Sequence, residues 1–332
     1  MRKITINLAA VAAFCIVVAS PALVSSSCAT PKTEQEDTTI IREDSGITAL
    51  KYSSPEVPAS IEFCGKTIDL SRFDRHERMD RELLAFTYMH STSLQMLKKA
   101  NRYFPIVEPI LKENGIPDDF KYLMVIESNM NPTARSSAGA AGLWQFMQGT
   151  GRDYGLEVNN NVDERYHIEK ATRAACRYLK DLYGIYEDWT LALAAYNCGP
   201  GNVNKAIRRS GGKTDFWEIF RYLPRETRSY VPLFIAANYI MNYYCDHNIC
   251  PMQTSLPLAT DTVMVNSMLH LQQVSDVLGI DIEQLRALNP QYKRDIIPGN
   301  TEPSVLKLPA SQTYAFVDKE DSVYTHRIEE LL

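Results

Sequence analysis

The sequence predicts a mainly α-helical domain, residues 66–250, followed by a small module with the element order β-α-α-β, residues 261–310. Alternating strand patterns are nearly absent from 71 to 250, where apolar residues instead recur at three- and four-residue steps. After Cys250 the composition changes, and short β-branched runs flank two further helical patterns. At 332 residues with 45% hydrophobic content, the chain is long enough for one domain of ordinary size and one small domain.

The helices of the first domain are marked by apolar periodicity, with Gly, Pro or Asn at most breaks. Residues 81–102 and 103–114 predict two amphipathic helices, the second ended by Gly115-Ile-Pro117. An aspartate at 118 or 119 suits the N-cap of a third helix. Further helices are predicted over 142–154, 168–183, 189–196, 203–210 and 231–244.

The second module is predicted from four short segments. They are a strand at 261–266, helices at 270–278 and 281–288, and a strand at 305–308. Two paired strands beside two helices are the natural layout, although a module this small has a thin core. A linker, 251–260, precedes the module, and a C-terminal tail, 311–332, follows it.

The N-terminus has the pattern of an export signal, residues 1–28. Arg2 and Lys3 precede an apolar stretch, 4–24, and small residues follow it. A membrane-spanning helix is the alternative, although Pro21 favours cleavage. Three serines precede Cys28, which resembles a loose bacterial lipobox, so Cys28 is a candidate for lipidation, with a soluble periplasmic product as the alternative. Residues 29–65, with scattered Pro, Ser, Thr and charges, are predicted to be a tether.

The remaining cysteines favour a disulfide or buried free thiols over a metal site. Five cysteines follow the export region, so at least one is unpaired in an exported protein. Cys245 and Cys250 are spaced for a local disulfide, or they are buried thiols. With His247 they supply only three zinc ligands, and the chain has no His-Glu-x-x-His motif. We therefore expect no metal and no cofactor.

The charge balance argues against a nucleic-acid partner. The chain has 35 Lys and Arg against 40 Asp and Glu, whereas a protein that binds phosphate backbones more often has a basic face. A neutral polysaccharide is compatible with this balance.

Glu127 is the acidic residue with the most unusual context. It follows the apolar run Tyr122-Leu-Met-Val-Ile126, at the C-terminal end of a predicted helix. Burial and the negative end of the helix dipole both raise the pKa of a carboxyl. A carboxyl that stays protonated near neutral pH is a suitable general acid for cleaving a glycosidic bond. By itself this context also fits an ordinary polar residue at a helix end.

The segments around Glu127 carry a resemblance to a known family. Glu127 begins Glu-Ser-Asn-Met-Asn-Pro-Thr-Ala-Arg-Ser136-Ser-Ala-Gly-Ala-Ala-Gly-Leu-Trp-Gln145-Phe-Met147. Two later blocks are Ala-Ala-Tyr196-Asn197-Cys-Gly and Leu-Pro-Arg-Glu226-Thr-Arg-Ser-Tyr-Val-Pro. In this order they resemble the motifs of the lytic transglycosylases, a family with a goose-type-lysozyme-like fold. The resemblance covers roughly residues 80–250 and implies a lysozyme-like helical catalytic domain.

The resemblance implies a reaction and a role for each matched residue. Glu127 protonates the leaving glycosidic oxygen and then acts as base for the C6 hydroxyl of muramic acid, which closes a 1,6-anhydro ring. Water is not the nucleophile, so no second carboxylate is required. Asp153 and Asp163 fall in no matching motif and are interpreted as surface charges. The matched residues implied to line the sugar cleft are Ser136, Gln145, Met147, Tyr196, Asn197 and Glu226.

Some of these residues have alternative interpretations. The Tyr196 hydroxyl is also a candidate partner of the Glu127 carboxyl. Met147 is equally well explained as core filler. Glu226 is nearly as well explained by a capping ion pair with Arg225 or Arg228.

The second module resembles a LysM module, a type that binds glycans containing N-acetylglucosamine. The similarity lies in 271–309, with Val274-x-x-Val-Leu-Gly279-Ile-Asp-Ile-Glu-Gln-Leu285 at its centre. The usual opening Gly-Asp-Thr-Leu is replaced by Ser267-Met-Leu-His-Leu, so glycan binding and a purely structural role both remain open.

The N-terminal pattern predicts an exported protein of the bacterial cell envelope that is held at a membrane through Cys28, and the two resemblances imply that it cleaves peptidoglycan glycan strands. A hydrolytic muramidase on the same fold and a non-catalytic peptidoglycan-binding scaffold are the alternatives.

Overall fold

The computed structural model describes residues 57–88, 90–245, 247, 249 and 259–332. The predictions for the export signal, Cys28, most of the tether and Cys250 lie outside the described residues. The first domain contains, in order, β1 (Ser60–Phe63), β2 (Lys66–Asp69), α1 (Phe73–Tyr88), α2 (His90–Glu113), α3 (Leu123–Ser128), α4 (Gln148–Asp153), α5 (Ile168–Tyr186), α6 (Trp189–Cys198), α7 (Pro200–Arg209), α8 (Phe216–Ile219) and α9 (Arg225–Asn242). No helix in these described ranges is long and apolar enough to cross a membrane.

The domain opens with a β-hairpin whose first strand and turn lie within the predicted tether. Strands β1 and β2 pair antiparallel around the two-residue turn Cys64-Gly65, in which both residues have positive φ, as a type I′ turn requires. The Phe63 ring is buried, 6.0 Å from the Phe120 ring and 5.4 Å from the Phe234 ring, between centroids. The tether prediction is therefore wrong for 57–65, because even a four-residue strand can contribute an aromatic side chain to the core.

The break between the first two long helices lies earlier than predicted. The apolar pattern predicts the break between residues 102 and 103, but α1 ends at Tyr88 and α2 is continuous from His90 to Glu113. At the break, the Ser93 hydroxyl donates to the carbonyl of Phe86, which lies in the last turn of α1. This bond satisfies one of the carbonyls that a helix end leaves without a partner. The spacing of apolar residues does not reveal a break that depends on a side-chain hydrogen bond.

The segment before α3 also differs from the prediction. Pro117, not an aspartate, precedes a 3-10 turn, Asp118–Tyr122, which leads directly into α3. The Asp119 carboxylate instead accepts hydrogen bonds from the Cys64 backbone N–H, at 2.7 Å, and from the Asn238 side chain, at 3.0 Å. Asp119 thus joins the hairpin to α9 rather than capping a helix.

The later helices follow the prediction more closely, because their apolar faces are long and regular. α5 covers the predicted 168–183 and α6 the predicted 189–196. α6 is the centre of the domain: its residues 191–195 are fully buried and it packs against α5, α7 and α9. The helix predicted at 142–154 is shorter, because Gly142 has a φ of 81° and the chain becomes helical only at Gln148.

The second module has its own apolar core. Its elements are β3 (Thr260–Val265), β4 (Met268–His270), α10 (Leu271–Leu278), α11 (Ile282–Leu288), β5 (Ile296–Pro298), β6 (Ser304–Pro309), α12 (Thr313–Asp318), α13 (Glu320–Thr325) and α14 (Ile328–Leu331). β3 pairs antiparallel with β6, and β4 with β5. The predicted β-α-α-β order is confirmed, but the tail prediction is wrong, because Phe316 and Val323 are buried in the module core. Helices from the predicted tail thus thicken a core that would otherwise be thin.

Candidate active site

Glu127 lies in the last turn of α3, as predicted. The preceding residues Leu123, Met124 and Val125 are fully buried, which anchors the helix, while Glu127 itself is half-buried. Asn129 and Met130 both have left-handed backbones and donate their N–H groups to the last carbonyls of α3. This C-terminal cap turns the chain sharply away directly after the acid.

The surroundings of Glu127 favour its protonated form. The pKa of Glu127 is raised to about 7, chiefly by burial; the hydrogen bond from Tyr230 lowers it, and the negative charge of Glu226 adds a smaller rise. The Tyr230 hydroxyl donates to Glu127 Oε1, and burial raises the pKa of this tyrosine well above its ordinary value. Near neutral pH, Glu127 is therefore balanced between its acid and base forms.

Tyr230 is the partner that the sequence analysis missed. Tyr196 had been named as the candidate partner of Glu127, but its hydroxyl donates to the Trp144 carbonyl at 2.7 Å. Tyr230 was within a quoted motif and lies four residues after Glu226 on α9, hence on the same helix face. Because Glu226 matches a cleft residue of the family, this four-residue spacing was the sequence signal that Tyr230 faces the same cleft.

The segment 134–147, here called the cleft loop, carries Ser136, Gln145 and Met147. The Ser136 hydroxyl accepts from the Ala140 N–H at 3.0 Å. Gln145 has a φ of 47°, and its side-chain amide donates to Gly142 O at 2.9 Å and Ala134 O at 3.2 Å. The side-chain bonds of Ser136 and Gln145 therefore brace the loop that carries them.

The cleft loop is attached directly to the helix that carries Glu127. The Ser128 hydroxyl, one residue after the acid, donates to Leu143 O at 3.1 Å. At the end of the loop, the Met147 side chain is 47% exposed, which removes the core-filler interpretation and leaves its thioether available to a ligand.

Asn197 and Glu226 lie on the other side of the site, at the end of α6 and the start of α9. The Asn197 amide oxygen accepts from the Thr227 hydroxyl at 2.8 Å, which joins the two helices. Glu226 is exposed at the first turn of α9, yet its charge acts on Glu127. The described part of the chain contains no group of three His, Cys, Asp or Glu side chains arranged to hold a metal.

The two aspartates interpreted as surface charges have different environments. Asp153 is exposed, as expected. Asp163 is only 3% exposed and forms an ion pair with Arg165, so the surface interpretation is wrong for Asp163. The sequence around Asp163 is polar, and only the fold brings the cleft loop and the second module over it.

A mainly helical domain with one partly buried glutamate at its site is the class of protein that the structure defines. Comparison with known families identifies the domains of this chain. The family model described as Transglycosylase SLT domain matches residues 105–219. The model described as Lytic transglycosylase MltD, LysM-like domain, matches residues 259–325. The chain therefore carries a transglycosylase SLT domain followed by a LysM-like domain, which confirms both resemblances found in the sequence.

Two relatives by sequence agree with this assignment. The chain is homologous to the membrane-bound lytic murein transglycosylase D of Escherichia coli K12, with 32% identity over 237 residues, 70% of this chain and 51% of that protein. The soluble lytic murein transglycosylase of the same strain is 30% identical over 132 residues, 37% of this chain and 20% of that protein. The crystal structure of the 70 kDa soluble enzyme from E. coli aligns with a TM-score of 0.39 and 22% identity, over 50% of this chain and 30% of that one. The chain spans about half the length of the membrane-bound relative.

Proposed function

We propose that this protein is a peptidoglycan lytic transglycosylase. It cleaves the β-1,4 bond between N-acetylmuramic acid and N-acetylglucosamine without water and leaves 1,6-anhydromuramyl ends, for cell-wall remodelling or turnover. The observation that carries the proposal is the half-buried Glu127 carboxyl, with a pKa raised to about 7 and a hydrogen bond from Tyr230. The homology to lytic murein transglycosylases supports the choice of substrate.

In the proposed reaction Glu127 acts first as acid and then as base. The protonated carboxyl donates its proton to the glycosidic oxygen as the bond from that oxygen to muramic acid C1 breaks. The resulting carboxylate removes the proton from the muramic acid C6 hydroxyl, whose oxygen forms a bond to C1. The proton lost in the first step is regained in the second, so the enzyme returns to its starting state. A pKa near 7 suits both steps, because neither form of the carboxyl is strongly favoured.

Tyr230 orients the carboxyl through both steps. Its hydroxyl stabilises the carboxylate that forms when the proton leaves, and its burial keeps the donor in one position. A hydrolytic glycosidase needs two carboxyl groups roughly 5–9.5 Å apart, the second of which activates water or attacks the sugar. Intramolecular attack by the C6 hydroxyl removes that requirement, so Glu127 suffices.

The remaining matched residues are proposed to bind the glycan. Ser136, Gln145 and Asn197 supply neutral hydrogen-bonding groups suited to hydroxyl and N-acetyl groups, and the exposed Met147 supplies an apolar surface for a sugar ring. The Tyr196 hydroxyl supports the cleft loop by donating a hydrogen bond to Trp144 O. Glu226 acts at the rim of the cleft, where its charge also raises the pKa of Glu127.

The test is product analysis on purified peptidoglycan. Mass spectrometry of the digest should show 1,6-anhydromuramyl ends, and Glu127→Gln, which keeps the shape of the side chain, should abolish them. Glu218→Gln is the matched control, since it removes an exposed carboxylate outside the matched motifs and should leave the activity unchanged. Reducing ends alone would support a hydrolytic muramidase. Binding of glycan without turnover would support a non-catalytic scaffold.

We also propose that the protein is exported and held at a membrane of the cell envelope through lipidated Cys28. The charged, apolar and small-residue order of residues 1–28 supports this, as does the membrane-bound relative. Metabolic labelling with a fatty-acid precursor should label the wild type but not Cys28→Ala. Equal labelling of both would exclude Cys28 as the anchor.

A further inference from the structure

The LysM-like module is joined to the helical domain by backbone hydrogen bonds. Asp163 N–H donates to Gln291 O at 2.9 Å, and Lys293 N–H donates to Asn161 O at 2.9 Å, so Val162 and Tyr292 form an antiparallel bridge. Backbone bonds of this kind fix both distance and direction, unlike contacts between long surface side chains.

On the side of the helical domain, the bridge lies in a hydrogen-bonded turn. The Asn159 side chain accepts from the N–H groups of Asn161, at 2.8 Å, and Val162, at 2.7 Å, and the Asn159 N–H donates back to Val162 O. Gln291 is buried at the contact, and a further ion pair joins Lys307 of the module to Glu169 of α5. The module therefore has a defined seat on the helical domain.

Directly after this turn lies a buried ion pair. Arg165 makes two hydrogen bonds to Asp163, Nε to Oδ1 at 2.9 Å and Nη2 to Oδ2 at 2.8 Å. The side chains are 6% and 4% exposed. A buried pair is tolerated only if its remaining donors and acceptors find partners. The third nitrogen of Arg165 has two such partners, which are carbonyls of the cleft loop.

Arg165 Nη1 donates to Gly139 O at 2.8 Å and to Phe146 O at 3.0 Å. Between these two points Gly142 touches the Arg165 backbone so closely that a Cβ on Gly142 would lie 1.8 Å from Arg165 O. The loop that carries Ser136 and Gln145 thus rests on the residue that Asp163 holds in place.

The contacts continue from the loop to the acid. Ser128 donates to Leu143 O, and Tyr196 donates to Trp144 O, on either side of the space around Glu127. Hydrogen bonds, joined by the backbone of the cleft loop, therefore connect the module through Asp163 and Arg165 to α3.

We infer that Arg165 is a positioning residue for the reaction, and that the seated module holds the cleft loop over Glu127 through the Asp163–Arg165 pair. The inference deepens the proposed function and rests on it. The module then acts as an internal brace of the active site, whether or not it also binds glycan.

The test uses the full chain and one backbone hydrogen bond. Lys293→Pro removes the N–H that bonds to Asn161 O, at the first residue of a 3-10 turn, where proline is well accommodated. Tyr292 before it is already extended, at φ −87° and ψ 113°, as a residue before proline prefers. Lys293→Ala is the matched control, because both variants lose the side-chain contacts to Asn159 O and Asp163, and only Lys293→Pro also loses the backbone N–H.

The first readout is hydrogen exchange, which needs no activity. In Lys293→Pro we expect the amides of Ala141, Gly142 and Phe146 to exchange about tenfold faster, while those of α6 keep the wild-type rate. Lys293→Ala keeps the backbone bond, so its loop amides should exchange more slowly than those of Lys293→Pro. Unchanged exchange of the three loop amides in Lys293→Pro would overturn the link between module and loop.

The second readout is the pH dependence of cleavage. A loosened loop admits water to Glu127, so the pH above which kcat/KM declines should shift downward in Lys293→Pro and in Arg165→Lys. Arg165→Lys keeps a cation beside Asp163 but lacks the planar fork that reaches two carbonyls, and it should lower kcat by about tenfold. A lower melting temperature with an unchanged pH profile and kcat would show that the pair is only structural. If the wild type forms no anhydro products, the proposed function fails, and the exchange experiment still decides whether the module braces the loop.

Discussion

Tyr230 donates its phenolic hydrogen to Glu127 across 103 positions of sequence, and this contact joins α9 to the end of α3. The hydrogen bond lowers the pKa of Glu127, whereas burial raises it by more. The pKa of Glu127 is therefore set by two opposing effects, and each effect can be altered separately by substitution.

Removing the Tyr230 hydroxyl should raise the pKa of Glu127. Tyr230→Phe removes the donor that stabilises the carboxylate, so the acid stays protonated to higher pH. The decline of kcat/KM at alkaline pH should move upward, and kcat should fall roughly tenfold because the base form is less well stabilised. Tyr183→Phe, at a tyrosine stacked on Trp189, is the control. A pH profile that does not move in Tyr230→Phe would contradict the role of this hydrogen bond.

Glu127 should also make the folded protein less stable as the pH rises. Its folded pKa, about 7, lies above the ordinary value of 4.5, so the folded state holds the proton more tightly. Its stabilising contribution is complete below about pH 4.5 and is lost as the pH rises through 7, to a limit of about 3 kcal/mol. Because Glu127→Gln cannot ionise, its stability relative to the wild type should increase between pH 5 and pH 8. Denaturant unfolding at both pH values measures this difference, and a constant difference would contradict the raised pKa.

Gly142 should tolerate no side chain. Its φ is 81°, and a Cβ would lie 1.8 Å from Arg165 O, a backbone atom that cannot rotate away. Gly142→Ala should lower the free energy of unfolding by about 2–5 kcal/mol and also lower activity, since it displaces the cleft loop. Gly184→Ala is the matched control: this glycine lies in α5 with open space around it, so alanine should stabilise by about 0.5–1 kcal/mol. Thermal unfolding of both variants tests the contrast, which similar effects of the two substitutions would refute.

Asp119 should contribute more to stability than its neighbour Asp118. Asp119 accepts hydrogen bonds from Cys64 N–H and from Asn238, so Asp119→Ala leaves buried donors without a partner, at a loss of about 1–3 kcal/mol. Asp118→Ala removes an ion pair with Lys121 from a largely exposed carboxylate and should change stability by less than about 1 kcal/mol. Equal losses, measured by denaturant unfolding, would mean that the hairpin does not depend on Asp119.

Local patterns predicted the parts of this protein that depend on neighbours along the chain. α5 and α6 were identifiable because their apolar faces repeat over several turns, and Glu127 because it ends an apolar run inside a long family motif. The strand β1 and the tail helix that carries Phe316 were missed, because four to six residues are too few to show a period. Their burial depends on partners that the local sequence does not contain.

The sequence by itself determined the mainly helical domain and the β-α-α-β module and indicated Glu127 as the candidate acid, because periodicity and motif are properties of contiguous residues. Only the tertiary structure decided that Tyr230, and not Tyr196, bonds to Glu127, and that Asp163 is a buried partner of Arg165. The physical reason is that hydrogen bonds and ion pairs have short range. Their partners are therefore chosen by packing, which brings together residues far apart in the chain, and the charge or hydroxyl of one residue does not specify which of these partners it will contact.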